Sequence, residues 1–157
     1  DLLIEKLGRT GLRISPDSDG LWAMASGRPR PIDVATLPYP GLATDYLPLL
    51  VALLAYSGGT SYATENVFSG RFRYVGELAR MGARIRVDGH HMVIDGVERL
   101  SGAPVKAVDI RAGAALVVAA LGADGETTIS DAHHIDRGYE RFVDRMCSIG
   151  ADIERLD

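Results

Sequence analysis

The sequence is poor in cysteine, in net positive charge and in long apolar runs, and each shortage removes a class of answer. Its one cysteine, Cys147, excludes an internal disulfide and suits a reducing compartment such as the cytoplasm. No apolar stretch approaches the roughly 20 residues of a bilayer-spanning helix. The opening Asp1-Leu2-Leu3-Ile4-Glu5-Lys6 has neither an initiator Met nor a signal-peptide pattern. It reads as an internal cut, and no membrane partner is expected. Lys and Arg number 17 against 21 Asp and Glu, and a net charge of −4 argues against a general nucleic-acid binder. The histidines come as doublets, His90-His91 and His133-His134, without the spaced ligands zinc takes. There is no glycine-rich phosphate loop either, so no metal and no cofactor are expected.

What is present is an internal repeat. Three segments read alike: Arg9-Thr10-Gly11-Leu12-Arg13-Ile14, Arg80-Met81-Gly82-Ala83-Arg84-Ile85 and Ser148-Ile149-Gly150-Ala151-Asp152-Ile153. Each is a helix end, a glycine that supplies a left-handed cap, and a short alternating strand. The glycines recur about every 70 residues, too long for a solenoid and suited to a unit of two helices and several strands. We divide the single domain 1–157 into a truncated first unit (1–43), a second (44–108) and a third (109–157).

The second unit predicts a helix over 44–56 with Thr44 as N-cap and Leu47, Leu50, Val51 and Leu54 on one face. A strand at 60–65, a loop at 66–70 and a helix at 71–81 follow. Strands at 84–87 and 91–94 flank an Asp88-Gly89 turn, and another strand lies at 105–108. The third unit predicts a helix over 109–121, a strand over 126–130, a helix over 137–149 and a closing strand over 152–156. Cys147 falls within that last helix and is expected as a small buried hydrophobe. The fold class is mixed α/β, with helices buried together under sheets.

Arg71, Arg111 and Arg137 share an oddity: each falls in the first turn of an expected helix. A cation there opposes the helix dipole at a cost of about 0.3–1 kcal/mol. Three at equivalent openings suggest positive charge aimed at one point, where helix amides would reinforce an anion site. The plain alternative is three exposed arginines paired with carboxylates. Asp45 and Asp109 occupy equivalent helix starts, where capping is the plain reading.

Four stretches in order resemble the UDP-N-acetylglucosamine enolpyruvyl transferase (MurA) family. They are Pro38-Tyr39-Pro40-Gly41-Leu42-Ala43-Thr44-Asp45, Thr64-Glu65-Asn66-Val67-Phe68-Ser69-Gly70-Arg71-Phe72, Asp109-Ile110-Arg111-Ala112-Gly113-Ala114 and His134-Ile135-Asp136-Arg137-Gly138-Tyr139-Glu140-Arg141. The last resembles the UDP-sugar branch rather than the shikimate branch. The resemblance implies an inside-out α/β barrel domain, the C-terminal portion of a two-domain enzyme whose N-terminal domain is a required partner. It implies transfer of the enolpyruvyl group of phosphoenolpyruvate to the 3-hydroxyl of UDP-N-acetylglucosamine with phosphate release, the first committed step of peptidoglycan synthesis. This chain alone would be inactive.

By the same resemblance Asp45 is the base for the sugar hydroxyl, and Asp109 a carboxylate near it. Arg71, Arg111 and Arg137 face the phosphoenolpyruvate or its phosphate. Val67 touches the sugar nucleotide through its backbone, and Phe68 is a wall or packing residue. Cys147 does not match the family's reactive mobile-loop cysteine. One departure stands out: Leu42-Ala43 replaces the usual Phe-Pro before Thr44-Asp45. It leaves open a paralogue with another nucleotide-linked or shikimate-type acceptor. A non-catalytic module that binds a nucleotide sugar or a protein is the third reading.

Overall fold

The computed structural model describes residues 2–156. Helix α1 (Leu2–Arg9) stops at Gly11, whose φ of +101° is a left-handed backbone that a Cβ would disfavour. The chain then forms a hairpin of β1 (Arg13–Asp17) and β2 (Gly20–Met24). Strand β3 (Val34–Ala35), a 3-10 turn (Thr44–Tyr46) and helix α2 (Leu47–Leu54) follow. Next come β4 (Thr60–Thr64), α3 (Arg73–Arg80), β5 (Arg84–Asp88) and β6 (His91–Asp95). The order continues with β7 (Pro104–Lys106), α4 (Ile110–Leu121), β8 (Thr128–Ser130), α5 (His133–Asp136) and α6 (Phe142–Ser148).

The mixed α/β class expected from the sequence is what these elements form. The strands make three sheets: the β1-β2 hairpin, a four-stranded sheet in the order β3-β4-β6-β5, and a parallel β7-β8 pair. Period-two alternation explains which face of the large sheet is buried. Ser61 and Ala63 of β4 pair with Ile94 and Met92 of β6, and all four point inward. The intervening Tyr62 is exposed.

Helices α2 and α4 are apolar nearly all round, so neither can lie on a surface. They pack on each other, and small residues along α4 let the backbones approach. The Tyr56 hydroxyl, just past α2, donates to the Ala119 carbonyl of α4 at 2.5 Å. Burial, and secondarily the Asp124 carboxylate, pushes that phenol up to about 12. Among the described residues no helix is long and apolar enough to cross a membrane.

Five expectations need correction. Thr44 is not a helix N-cap; its hydroxyl turns to Glu65, and a 3-10 turn precedes α2. The helix expected over 71–81 begins only at Arg73, behind Gly70 at φ +78°. The helix expected over 137–149 is broken into α5 and α6, because Gly138 is pressed against Ile110 and Arg141 takes a left-handed φ of +50°. The strand expected over 152–156 does not form among the described residues. No strand lies beside it, and an unpaired strand gains no ladder. Its Arg155 instead grips Asp136 at 2.7 Å. Finally, Cys147 lies in α6 but is exposed, since no residue of α6 is buried; its thiol donates to the Ile153 carbonyl at 3.2 Å.

Candidate active site

The site is built where the 3-10 turn, the loop after β4 and the start of α4 meet. Asp45 and Arg111, far apart in sequence, form an ion pair through Oδ1 and Nε. Asp45 is thus occupied by a guanidinium rather than by capping: the turn in which it is the middle residue has Ala43 at its N-cap position and no side-chain cap. A depression beside this pair is lined by Thr44, Leu47, Pro48, Glu65, Arg71, Tyr74, Asp109 and Arg111.

Asp109 is the N-cap of α4. Its Oδ1 accepts from the Arg111 and Ala112 amides, both at 2.9 Å. These two N–H groups are therefore spent inside the protein. The anion site expected from free helix amides is not available in α4, and the guanidinium itself is what Arg111 offers.

Arg71 precedes α3 and lies over the Phe68 ring, 3.9 Å from its centroid. Arg137 sits at the C-cap of α5, not in a first helical turn. Only Arg111 of the three has the expected helix position. The side chains of Arg71 and Arg137 make no hydrogen bond or ion pair among the described residues. Their planar forks are uncommitted, the state that suits a doubly charged anion.

Two glycine contacts join α5 and the residues after it to the start of α4. A Cβ on Gly138 would lie 2.3 Å from Cγ2 of Ile110, and one on Gly113 would lie 2.5 Å from Cγ1 of Ile135. The Asp109–Ala114 and His134–Arg141 motifs interlock through these bare backbones. That sets Gly138, the residue after Arg137, against Ile110 at the opening of α4, while Arg137 itself does not line the depression.

The residue missed in the sequence is Glu65. It is 3% exposed, yet carries a carboxylate. Its Oε1 accepts from Thr36 Oγ1 at 2.6 Å, from the Val67 amide at 2.8 Å and from the Phe68 amide at 3.0 Å. Its Oε2 accepts from Thr44 Oγ1 at 2.6 Å. Burial alone would push its carboxyl up, but these four donors together hold it below the usual range. Strand parity was the available signal: Ser61 and Ala63 point inward, so Glu65 does too. Val67 enters the site through this bond, its amide spent on Glu65. Tyr74, which lines the same depression, is buried, and its phenol is raised by burial and then by the Glu65 and Asp109 carboxylates.

The family described as EPSP synthase (3-phosphoshikimate 1-carboxyvinyltransferase) matches residues 1–146. The UDP-N-acetylglucosamine 1-carboxyvinyltransferase of Nocardia farcinica is 50% identical over 99% of this chain. That of Mycobacterium tuberculosis is 48% identical over 99%. The chain spans only 36% and 37% of the length of these relatives. Among solved structures, the enolpyruvyl transferase NikO from Streptomyces tendae matches with a TM-score of 0.89 at 33% identity, over 98% of this chain and 36% of that one. EPSP synthase from Acinetobacter baumannii matches at 0.72 and 19% identity, over 99% of this chain and 37% of that one, a likeness of fold alone. The fold is the inside-out α/β arrangement of these enzymes, with apolar helices inside and sheets outside.

Proposed function

The chain belongs to the EPSP synthase (3-phosphoshikimate 1-carboxyvinyltransferase) family, and from that premise we propose that it forms one wall of the active-site cleft of a UDP-N-acetylglucosamine 1-carboxyvinyltransferase. The observation that carries the reading is the Asp45–Arg111 pair, with Arg71 lining the same depression as Arg111. Identity of about 50% to relatives of that name favours the UDP-sugar acceptor over the shikimate one. On this reading the chain is a C-terminal portion organised as units 1–43, 44–108 and 109–157. The opposing wall, with the reactive loop, comes from an N-terminal domain. The enzyme works in the cytoplasm, in peptidoglycan synthesis.

The reaction follows from the charges. Phosphoenolpyruvate carries a phosphate and a carboxylate, and Arg71, Arg111 and Arg137 hold them. Protonation of its methylene carbon leaves a cationic C2, which the sugar 3-hydroxyl oxygen attacks. Asp45 takes the hydroxyl proton as the C–O bond forms. In the adduct the bond from C2 to the phosphate oxygen breaks. Return of one methyl proton to the group that protonated the methylene carbon then gives the enol ether and inorganic phosphate. Asp109 holds the start of α4 and so the direction of Arg111, while the Val67 backbone borders the sugar nucleotide.

The test is phosphate release by the complete protein that carries this chain. We expect release from phosphoenolpyruvate with UDP-N-acetylglucosamine. Release only with another acceptor, such as shikimate 3-phosphate, overturns the acceptor assignment. No release with any acceptor, together with retained nucleotide-sugar binding, makes the chain part of a binding module.

A further inference from the structure

We infer that Glu65 is a positioning residue for this reaction, acting through Asp45; the inference rests on the reading of Asp45 as the proton acceptor. The Glu65 carboxylate ties together the side chains and amides of three segments. Thr36 directly follows β3, Thr44 opens the turn that carries Asp45, and Val67 with Phe68 begins the loop that leads to Arg71. Asn66 closes the same knot from its other side: its amide donates to Thr36 Oγ1 at 2.9 Å and its side chain to the Thr36 carbonyl at 3.1 Å. No cation pairs with Glu65 among the described residues, so donors alone hold its charge.

Glu65 lines the depression but does not do the chemistry itself. Its Oε1 already accepts three hydrogen bonds, and the group is almost wholly buried. What it controls is the residue next to Thr44. With the Thr44 hydroxyl anchored at 2.6 Å, the turn holds Asp45 against Arg111. Released, that turn would let Asp45 move, and a misplacement on the order of 1 Å costs up to about a hundredfold in rate. The demand is for acceptors: only a carboxylate accepts at both oxygens. Glutamine would keep the three bonds to Oε1 and would require the Thr44 hydroxyl to rotate and accept instead.

The experiment is a mutant cycle in the complete protein, with phosphate release measured over both substrates. Glu65→Ala should lower kcat about 10- to 100-fold, with a smaller rise in the KM for phosphoenolpyruvate because the loop that leads to Arg71 is released as well. Glu65→Gln should recover most of that loss. In an Asp45→Ala background, Glu65→Ala should cost less than about twofold more, because both act on one step. Losses that multiply across the two sites overturn the inference, as does a raised KM with unchanged kcat. If thermal unfolding shows that Glu65→Ala does not fold, Thr44→Val takes its place in the same cycle, with the same non-additivity required. A wild-type protein that releases no phosphate overturns the reaction, and this role with it. Wild-type activity with multiplicative losses overturns this role alone.

Discussion

Replacing Gly113 with alanine sets two known effects against each other. Gly113 lies inside α4, where alanine gains about 1 kcal/mol in helix propensity. The new Cβ would lie 2.5 Å from Cγ1 and 3.2 Å from Cδ1 of Ile135, and 3.2 Å from Cβ of Ala107. Ile135 is 4% exposed, and Cγ1 sits on its β-branched stem, so it cannot swing aside. Ala107, itself fully buried, crowds the same Cβ. Overpacking of this kind costs about 1–3 kcal/mol, and the tight stem contact puts this case near the upper end. The net expectation is a loss of about 1–2 kcal/mol.

The displaced element is α5, which Arg137 caps, so the KM for phosphoenolpyruvate should rise as well. Urea unfolding followed by circular dichroism measures the first effect, and steady-state kinetics the second. Ile135→Ala alone should cost about 2–5 kcal/mol. Combined with Gly113→Ala it should cost less than the sum, by at least about 0.5 kcal/mol. An unfolding midpoint for Gly113→Ala at or above wild type would show that propensity wins and that the two motifs are not interlocked as described.

Asp45→Ala should lower kcat about a hundredfold or more and leave the KM for the UDP-sugar nearly unchanged, a split that steady-state kinetics reads directly. Arg137→Lys keeps the charge but loses the fork; the KM for phosphoenolpyruvate should rise about tenfold, with UDP-sugar affinity intact by calorimetry. Asp109→Ala removes a cap with two 2.9 Å bonds and should cost about 0.5–2 kcal/mol in urea unfolding, with Asp109→Asn costing less. The Glu65 carboxyl is held below its unfolded value of about 4.3, so its contribution is complete above that pH and fades as pH falls through the folded value. The acid fall in thermal midpoint should therefore be shallower in Glu65→Gln than in wild type. Asp131, lowered first by its hydrogen bond to Lys106, acts in the same direction and is common to both proteins.

Much of the local structure was legible in the sequence because it depends on neighbours along the chain. Gly11, Gly82 and Gly150 take φ values of +101°, +94° and +96°, as helix-ending glycines should. The β5-β6 hairpin follows from a period of 2 around Asp88-Gly89, and the burial of α2 and α4 from their nearly unbroken apolar residues. The mixed α/β class followed from their order. Asp109 sits at its helix start for a purely local reason, two backbone amides within reach.

What the tertiary structure decided were the pairings between distant segments. No local rule brings Asp45 to Arg111, and the capping rule pointed Asp45 elsewhere. Gly138 broke an expected helix because Ile110 lies against it, a contact that exists only after folding. Cys147 is exposed because it lies on the uncovered side of α6, whose Phe142, Val143 and Met146 alone are half-buried, although its residue type predicts burial. Glu65 is the clearest case: the sequence by itself set its inward direction through strand parity. Only the fold supplied the four donors that make a buried carboxylate tolerable and tie it to the turn bearing Asp45. Hydrogen bonds of this kind depend on where distant backbones and hydroxyls end up, and one-dimensional patterns do not carry that information.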